Sequence, residues 1–242
     1  MSALANYRSE PLSSWYNKVK THYTDSMYTL LCDYLKPNAK ILEVGPGHGH
    51  FAKRIRDAGL EYDAIEPSNY FRQALQDQGF DITEEPVPPI WRDSEVYDLV
   101  YASMLIENLP SSHEAGEFAC ESARVLKKGG IFCLVFPNYL TWGRFFFEEH
   151  YTHSFVTMPR RITHLLTSQG FKVVRIENTL GWFWAKGSLE KNVLRHMVNI
   201  MMWPLHTAAA RWTLEYIGLG EFHWKVRKTL FEAVVIIARK KE

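Results

Sequence analysis

Cysteine is scarce in this chain. Only Cys32, Cys120 and Cys133 occur among 242 residues, and no two form a C-x-x-C pair. So few, and an odd number, exclude a disulfide scaffold. They read as small buried hydrophobes in a reducing compartment, with a reactive thiol as the sharper alternative. An excess of charge of either sign is missing too. Lys and Arg number 28 against 27 Asp and Glu, a formal net charge of +1. That balance argues against duplex nucleic acid as partner, because phosphate binding leaves a basic surplus. No apolar run is long enough to span a bilayer. The opening MSALANYRSEPLSSWY lacks a basic stretch followed by an apolar one, so a cytoplasmic location without a secretory signal is expected. Internal repeats and low-complexity tracts are absent. What is abundant is apolar residue, 46% against 23% charged, which excludes general disorder and suffices for a packed core.

The apolar residues alternate between two periods. Val19, Tyr23, Met27, Leu30, Leu31 and Tyr34 recur at helical spacing within 16–35. Short buried strands are expected at 40–44, 62–66, 80–83, 97–102, 131–136, 171–176 and 231–238. Helices are expected between them at 50–58, 69–78, 115–126 and 159–168, with Gly59, Gly79 and Gly170 as C-terminal stops and Lys127–Gly130 as a turn. Strand and helix in such alternation predict an α/β fold, a doubly wound parallel sheet covered on both faces. More than fifty residues before the last strand break the rhythm. They carry Trp182, Trp184, Trp203, Trp212 and Trp224, and a helical pattern from Leu189 through Val193, Met197, Ile200, Met201 and Leu205 to Ala208 that Pro204 should kink or divide. The expected organisation is one domain: a helical segment over 1–36, a core over 37–177, a helical insertion over 178–229 and a final strand over 230–242.

Two constellations carry chemistry. In Ile41-Leu42-Glu43-Val44-Gly45-Pro46-Gly47-His48-Gly49-His50 a buried strand enters a glycine-rich turn and then a helix. Ligands of doubly wound sheets bind at such strand ends. The dinucleotide fingerprint G-x-G-x-x-G is not met, since His50 stands where its third glycine belongs. Glu43, two residues before the first glycine, suits an ammonium group better than a pyrophosphate. Glu66, closing the next strand, can accept both hydroxyls of an unphosphorylated ribose. Together these specify a nucleoside with an amino-acid-like tail rather than a nucleotide.

With these motifs the sequence resembles the class I S-adenosylmethionine-dependent methyltransferases, and is similar to ubiquinone-biosynthesis and other small-molecule methyltransferases. The resemblance runs through ILEVGPGHGHFA, AIEP, YDLVYASMLIENLP and EFACESARVLKKGGIFCLVFPN, then through His150–Phe155 and Gly170–Val173, over roughly 20–177 and the last strand. It implies a seven-stranded Rossmann-like sheet with an antiparallel final strand and S-adenosyl-L-methionine as cofactor. It places Glu43, Gly45, Gly47 and Gly49 at the methionine moiety and Glu66 at the ribose. Asp81 or Ile82 would lie near the adenine, and Ala102 and Ser103 would complete the wall. Relatives carry a Glu-His pair after the fourth strand; this chain has Glu107-Asn108.

For the transfer itself His153, His150 and Glu107 are the candidate catalytic groups. Imidazole titrates in the range needed to take a proton from a hydroxyl acceptor. His153 is the first choice as base, against a loop histidine bonded to backbone; Glu107 alternatively caps a helix. The run Glu148-Glu149-His150-x-x-His153 has no complete ligand set of known spacing, so no metal is assigned. Tyr7, Trp15, Tyr16 and Tyr23 are read as a lid over a sulfonium or, equally, as a helix packed on the sheet. The Trp- and Met-rich insertion is read as a subdomain core, with an apolar acceptor pocket or a membrane-surface face at 182–217 close behind. The expected activity is methyl transfer to a small-molecule or lipid-linked acceptor, with oxygen favoured. The alternative is a catalytically silent, methyltransferase-like binding or scaffold protein.

Overall fold

The first helix, α1 (Ser14–Cys32), begins where the Ser13 hydroxyl accepts the Tyr16 N–H. It turns Tyr23, Met27, Leu30 and Leu31 inward, and all four are buried. Met27, Leu30 and Leu31 each contribute about 1.5–3 kcal/mol when taken from water. Together they anchor α1 to one face of the sheet. A computed structural model describes residues 12–180, 207–220 and 232–241, together with 197, 200 and 204. Tyr7, most of the helical pattern between Leu189 and Leu205, and Trp182, Trp184, Trp203 and Trp224 lie outside the described residues, as does the Trp15 side chain.

From α1 the chain alternates through β1 (Lys40–Val44), α2 (His50–Asp57), β2 (Glu61–Ile65), α3 (Asn69–Gln76), β3 (Ile82–Thr83) and β4 (Tyr97–Ser103). A 3-10 turn (Ile106–Asn108) leads to α4 (Ser112–Val125) and β5 (Leu126–Pro137). Two short helices follow, α5 (Tyr139–Trp142) and α6 (Phe145–Glu149), then α7 (Pro159–Ser168), β6 (Phe171–Leu180), α8 (Ala208–Tyr216) and β7 (Glu232–Lys240).

The seven strands form one sheet in the order β3-β2-β1-β4-β5-β7-β6. The described pairings are parallel except for those of β7, which runs antiparallel to both β5 and β6. Strand order therefore reverses between β1 and β4, the place where a doubly wound sheet opens a crevice at its carboxyl edge.

The two faces of the sheet hold separate cores, as alternation along each strand requires. In β4, Leu99 and Tyr101 pack with Tyr23, Met27, Phe51 and Ile55 under α1 and α2. Val100 and Ala102 pack on the opposite face with Phe118, Phe132, Ile162 and Leu166 under α4 and α7. Glu43 pairs in register with Tyr101 and shares the α1 and α2 side.

The expected turn at Lys127–Gly130 is a bulge within β5. Tyr97 pairs with Leu126, but Leu99 pairs with Ile131, so four residues of β5 lie opposite the single residue Asp98 while the strand continues. Two glycines in the run read as a turn because local sequence cannot show a neighbouring strand. Helix α4 starts at Ser112 rather than 115, since the Ser111 hydroxyl accepts the His113 N–H and supplies the cap. The short helices α5 and α6 had no periodic signal to announce them.

Candidate functional site

At the carboxyl edge of β1, β2 and β4 lies a cavity of about 370 Å³. Its floor is the glycine turn. Gly45, Gly47 and Gly49 all have positive φ, at 78°, 53° and 73°. Gly47 is used for access: a Cβ there would meet nothing within 4 Å, leaving its backbone open to a ligand. Gly49 is used for packing: a Cβ there would stand 2.2 Å from Cδ2 of Leu75 on α3.

Two buried carboxyl groups face this floor. Glu66 follows β2 directly, with Oε1 accepting the Ser68 N–H at 2.8 Å and Oε2 accepting the Gly47 N–H at 2.9 Å. Burial raises its pKa above the usual carboxylate value, against the pull of those two N–H donors. Glu43 accepts the Tyr62 hydroxyl at 2.6 Å. Its burial, with the Glu66 carboxylate nearby, pushes it up to about 8 despite that hydrogen bond. Two acids held together away from water suit a ligand that brings positive charge and hydroxyl donors.

Above the floor, α1 supplies Tyr16, Lys20 and Tyr23 to the cavity wall. It is tied to α2, which follows the glycine turn, by the His50 ring, whose Nε2 lies 3.2 Å from Oδ1 of Asn17, and by the Arg54–Asp25 ion pair at 3.1 Å. Burial and the neighbouring Lys20 and Lys53 lower both loop histidines, His50 to about 4. His48 packs edge-on against Phe71 with ring centroids 4.8 Å apart, giving the cavity an aromatic side next to Pro67.

The far end is built by the segment after β4 and the loop that follows α6. The Glu107 carbonyl accepts the N–H groups of Ser154 and Phe155 at 2.9 and 3.0 Å, lashing the two segments together. The Glu107 side chain is buried to 1% exposure, its Oε2 has no hydrogen-bond partner among the described residues, and burial pushes it up to about 8. His153 donates from Nδ1 to the Phe146 carbonyl at 2.5 Å, which leaves the lone pair of the neutral ring on Nε2. The His150 ring lies 6.0 Å from it. Among the described residues, no group of three or more His, Cys, Asp and Glu side chains is placed to hold a metal ion.

Of the residues singled out in the sequence, Glu43, Gly45, Gly47, Glu66, Ser103, Glu107, His150 and His153 line this one cavity. Four others lie outside its wall. Asp81 points to solvent, and Ile82 packs with Ala64, Leu75 and Phe80. Ala102 belongs to the core on the opposite face of the sheet, and Gly49 is buried under α3. Strand β3 spans only Ile82–Thr83, so the residue past its end is Glu84, which accepts from Arg72 at 2.5 Å. Sequence reading missed Lys20, Phe71, Tyr101, Asn108 and Trp142 as wall residues. His48, inside G-P-G-H-G-H, was legible as part of the loop but had no assigned place.

A family model described as a methyltransferase domain matches residues 18–176. A curated relative from Mycolicibacterium smegmatis, named as a "Probable S-adenosylmethionine-dependent methyltransferase", is 32% identical over 181 residues, 70% of this chain and 65% of that protein. The chain thus spans about two thirds of the relative's length. Among solved structures, a SAM-dependent methyltransferase from Archaeoglobus fulgidus superposes with a TM-score of 0.60 at 15% identity, covering 94% of this chain and 100% of that one. A phosphoethanolamine N-methyltransferase from Haemonchus contortus, in complex with phosphomonomethylethanolamine and S-adenosylhomocysteine, gives a TM-score of 0.61 at 16% identity, covering 90% and 53%. At these identities the superpositions show a shared fold.

Proposed function

Because this chain belongs to the methyltransferase-domain family, we propose that it transfers the methyl group of S-adenosylmethionine to a small-molecule or lipid-linked acceptor, at oxygen. The observation that carries the reading is the pair Glu43 and Glu66, buried side by side at the ends of adjacent strands and facing an open glycine backbone. Glu66 accepts the two ribose hydroxyls, and Glu43 faces the ammonium of the methionine tail. The adenine rests against His48, Pro67 and Phe71, because Asp81 and Ile82 lie outside the cavity wall. When bound, the cofactor supplies a methyl group already activated on a positively charged sulfur.

The protein's remaining task is to orient an acceptor and take its proton. His153 is suited to that, with its lone pair on Nε2 and an Nδ1–H held by the Phe146 carbonyl, which also supports the imidazolium that forms. Helix α1 roofs the site through Tyr16 and Tyr23 and limits the entry of water. A lipid-linked acceptor is supported by apolar side chains exposed near the far end. Leu140, Phe147 and Tyr151 are exposed there, and α8 adds Trp212 and Tyr216, stacked at 6.0 Å. Arg211 ties α8 to α6 through both oxygens of Glu148, at 2.9 and 3.0 Å.

The test is calorimetric titration with S-adenosylhomocysteine, the product of methyl transfer. Micromolar binding that Glu66→Ala abolishes is the expected result. Failure of correctly folded protein to bind would overturn the methyl-transfer reading and favour a silent binding protein.

A further inference from the structure

The far end of the cavity contains a chain of hydrogen bonds that starts at unusual backbone. Met104 has φ +53°, a left-handed conformation uncommon for a residue with a Cβ. Its carbonyl accepts Nδ2 of Asn108 at 3.0 Å. This contact orients the amide, because only the nitrogen end can donate to a carbonyl. Oδ1 of Asn108 consequently faces Thr152 and accepts its hydroxyl. A threonine hydroxyl has a single proton to give. Having given it to Asn108, Oγ1 of Thr152 can only accept from its other neighbour, Nδ1 of His150, 2.5 Å away.

The proton of the neutral His150 ring therefore sits on Nδ1 and its lone pair on Nε2. Reversing the assignment would turn the Asn108 carbonyl oxygen toward that of Met104, setting two acceptors against each other. The Thr152 N–H also points at Nδ1, from 3.3 Å; this one contact favours a lone pair there, and it is longer and weaker than the 2.5 Å contact with the hydroxyl oxygen. Thr152, at the centre of the relay, is buried at 5% exposure, so its hydroxyl is shielded from competing solvent, while Asn108 and His150 line the cavity.

We propose that Asn108 and Thr152 are positioning residues: they hold His150 as the Nδ1–H tautomer so that its Nε2 accepts a hydrogen bond from the hydroxyl of the methyl acceptor beside His153. This rests on the methyl-transfer reading for its purpose but not for its geometry. Asn108, where the sequence departs from the Glu-His pair of similar proteins, becomes the means by which an imidazole from a different loop is oriented.

The test is nitrogen-15 NMR of the full chain labelled at histidine, at a pH where imidazole is neutral, with His150 assigned through His150→Gln. The expected spectrum shows Nδ1 of His150 as a protonated nitrogen and Nε2 as an unprotonated one. Thr152→Val should shift both signals toward averaged or reversed values, and Thr152→Ser should restore them. Asn108→Ala should act like Thr152→Val, because it frees the hydroxyl to donate to Nδ1. The other nine of the ten histidines report whether each variant is folded. An Nε2–H ring in the unaltered protein, or a tautomer unchanged in folded Thr152→Val and Asn108→Ala, would overturn the proposal. Titration with S-adenosylhomocysteine separates the two ideas. Its failure alongside a fixed Nδ1–H tautomer overturns the methyl-transfer reading and leaves the relay standing.

Discussion

The backbone N–H of Gly47 donates to Oε2 of Glu66 across 2.9 Å, latching the glycine turn to the end of β2. Ribose hydroxyls must take up lone pairs on this same carboxylate. Hydrogen bonds to a charged group are worth about 1.5–3 kcal/mol each. Losing two of them should weaken S-adenosylhomocysteine binding roughly 100-fold or more in Glu66→Ala. Glu66→Gln should fall between the two, because it keeps an acceptor. Equal affinities by calorimetry in all three proteins would remove Glu66 from the site.

Glu43 is held up to about 8 and is thus mostly protonated near pH 7. An ammonium group placed beside it favours the ionised form and lowers that pKa. Binding S-adenosylhomocysteine at pH 7 should therefore release protons. Calorimetry in buffers of different ionisation enthalpy reads the number released, and Glu43→Gln should bring it near zero. No buffer dependence in the unaltered protein would place the ammonium elsewhere.

Glu107, also pushed up to about 8 by burial, makes stability depend on pH. Its folded value lies above the ordinary 4.5, so between these values the folded state holds a proton that the unfolded state has lost. Its contribution is largest below about 4.5 and declines by about 1.4 kcal/mol per pH unit as pH rises toward 8. His50, lowered from 6.5 to about 4, acts in the opposite sense, but only below 6.5. The window free of His50 is thus pH 6.5–8, in which Glu43, also pushed up to about 8, adds a fall of its own that Glu107→Gln leaves in place. There Tm should fall with rising pH, and Glu107→Gln should flatten the fall and raise Tm at pH 8. An identical slope in the variant would contradict the assignment.

Gly49→Ala should be the costliest change in the glycine turn. It combines left-handed backbone, about 1–2 kcal/mol for a residue with Cβ, with a clash against Leu75 that adds about 1–3 kcal/mol. Gly47→Ala carries only the backbone cost, because the space above it is open. Urea unfolding should rank them in that order; the reverse ranking would show that the turn rearranges.

If the acceptor is lipid-linked, the apolar side chains exposed near the far end should meet a lipid surface. Trp212, 71% exposed on α8, is the side chain to remove. Sedimentation with phospholipid vesicles should pellet the unaltered protein and release Trp212→Asp. Absence of pelleting would leave a small soluble acceptor. Among the described residues, no helix is long and apolar enough to cross a membrane.

The sheet was legible because its central strands are buried on both faces. Ile131–Phe136 is a continuous apolar run, and α7 begins at its proline and stops before its glycine. Glu43 and Glu66 stood out because acids are rare at the inner ends of such strands. Asp81 lies outside the cavity wall for a local reason: the run Phe80–Thr83 reads as a strand, but Phe80 is held in the core and only two residues pair. The relay through Asn108, Thr152 and His150 could not be read, since it joins residues 44 positions apart and depends on which way an amide lies.

Strand β7 holds a place in the sheet that is out of step with the order in which the chain is made. It separates β5 from β6, so β6 joins the rest of the sheet only through it. Between Leu180 and Glu232 lie 51 residues, which a ribosome adds in roughly 3–10 s at about 5–20 residues per second. During that interval the facing edges of β5 and β6 have no strand to bind, the condition under which nascent sheets capture the wrong neighbour. Ala233 of β7 also forms part of the cavity wall. That part of the cavity wall is thus supplied only once the seventh strand has threaded between the fifth and the sixth.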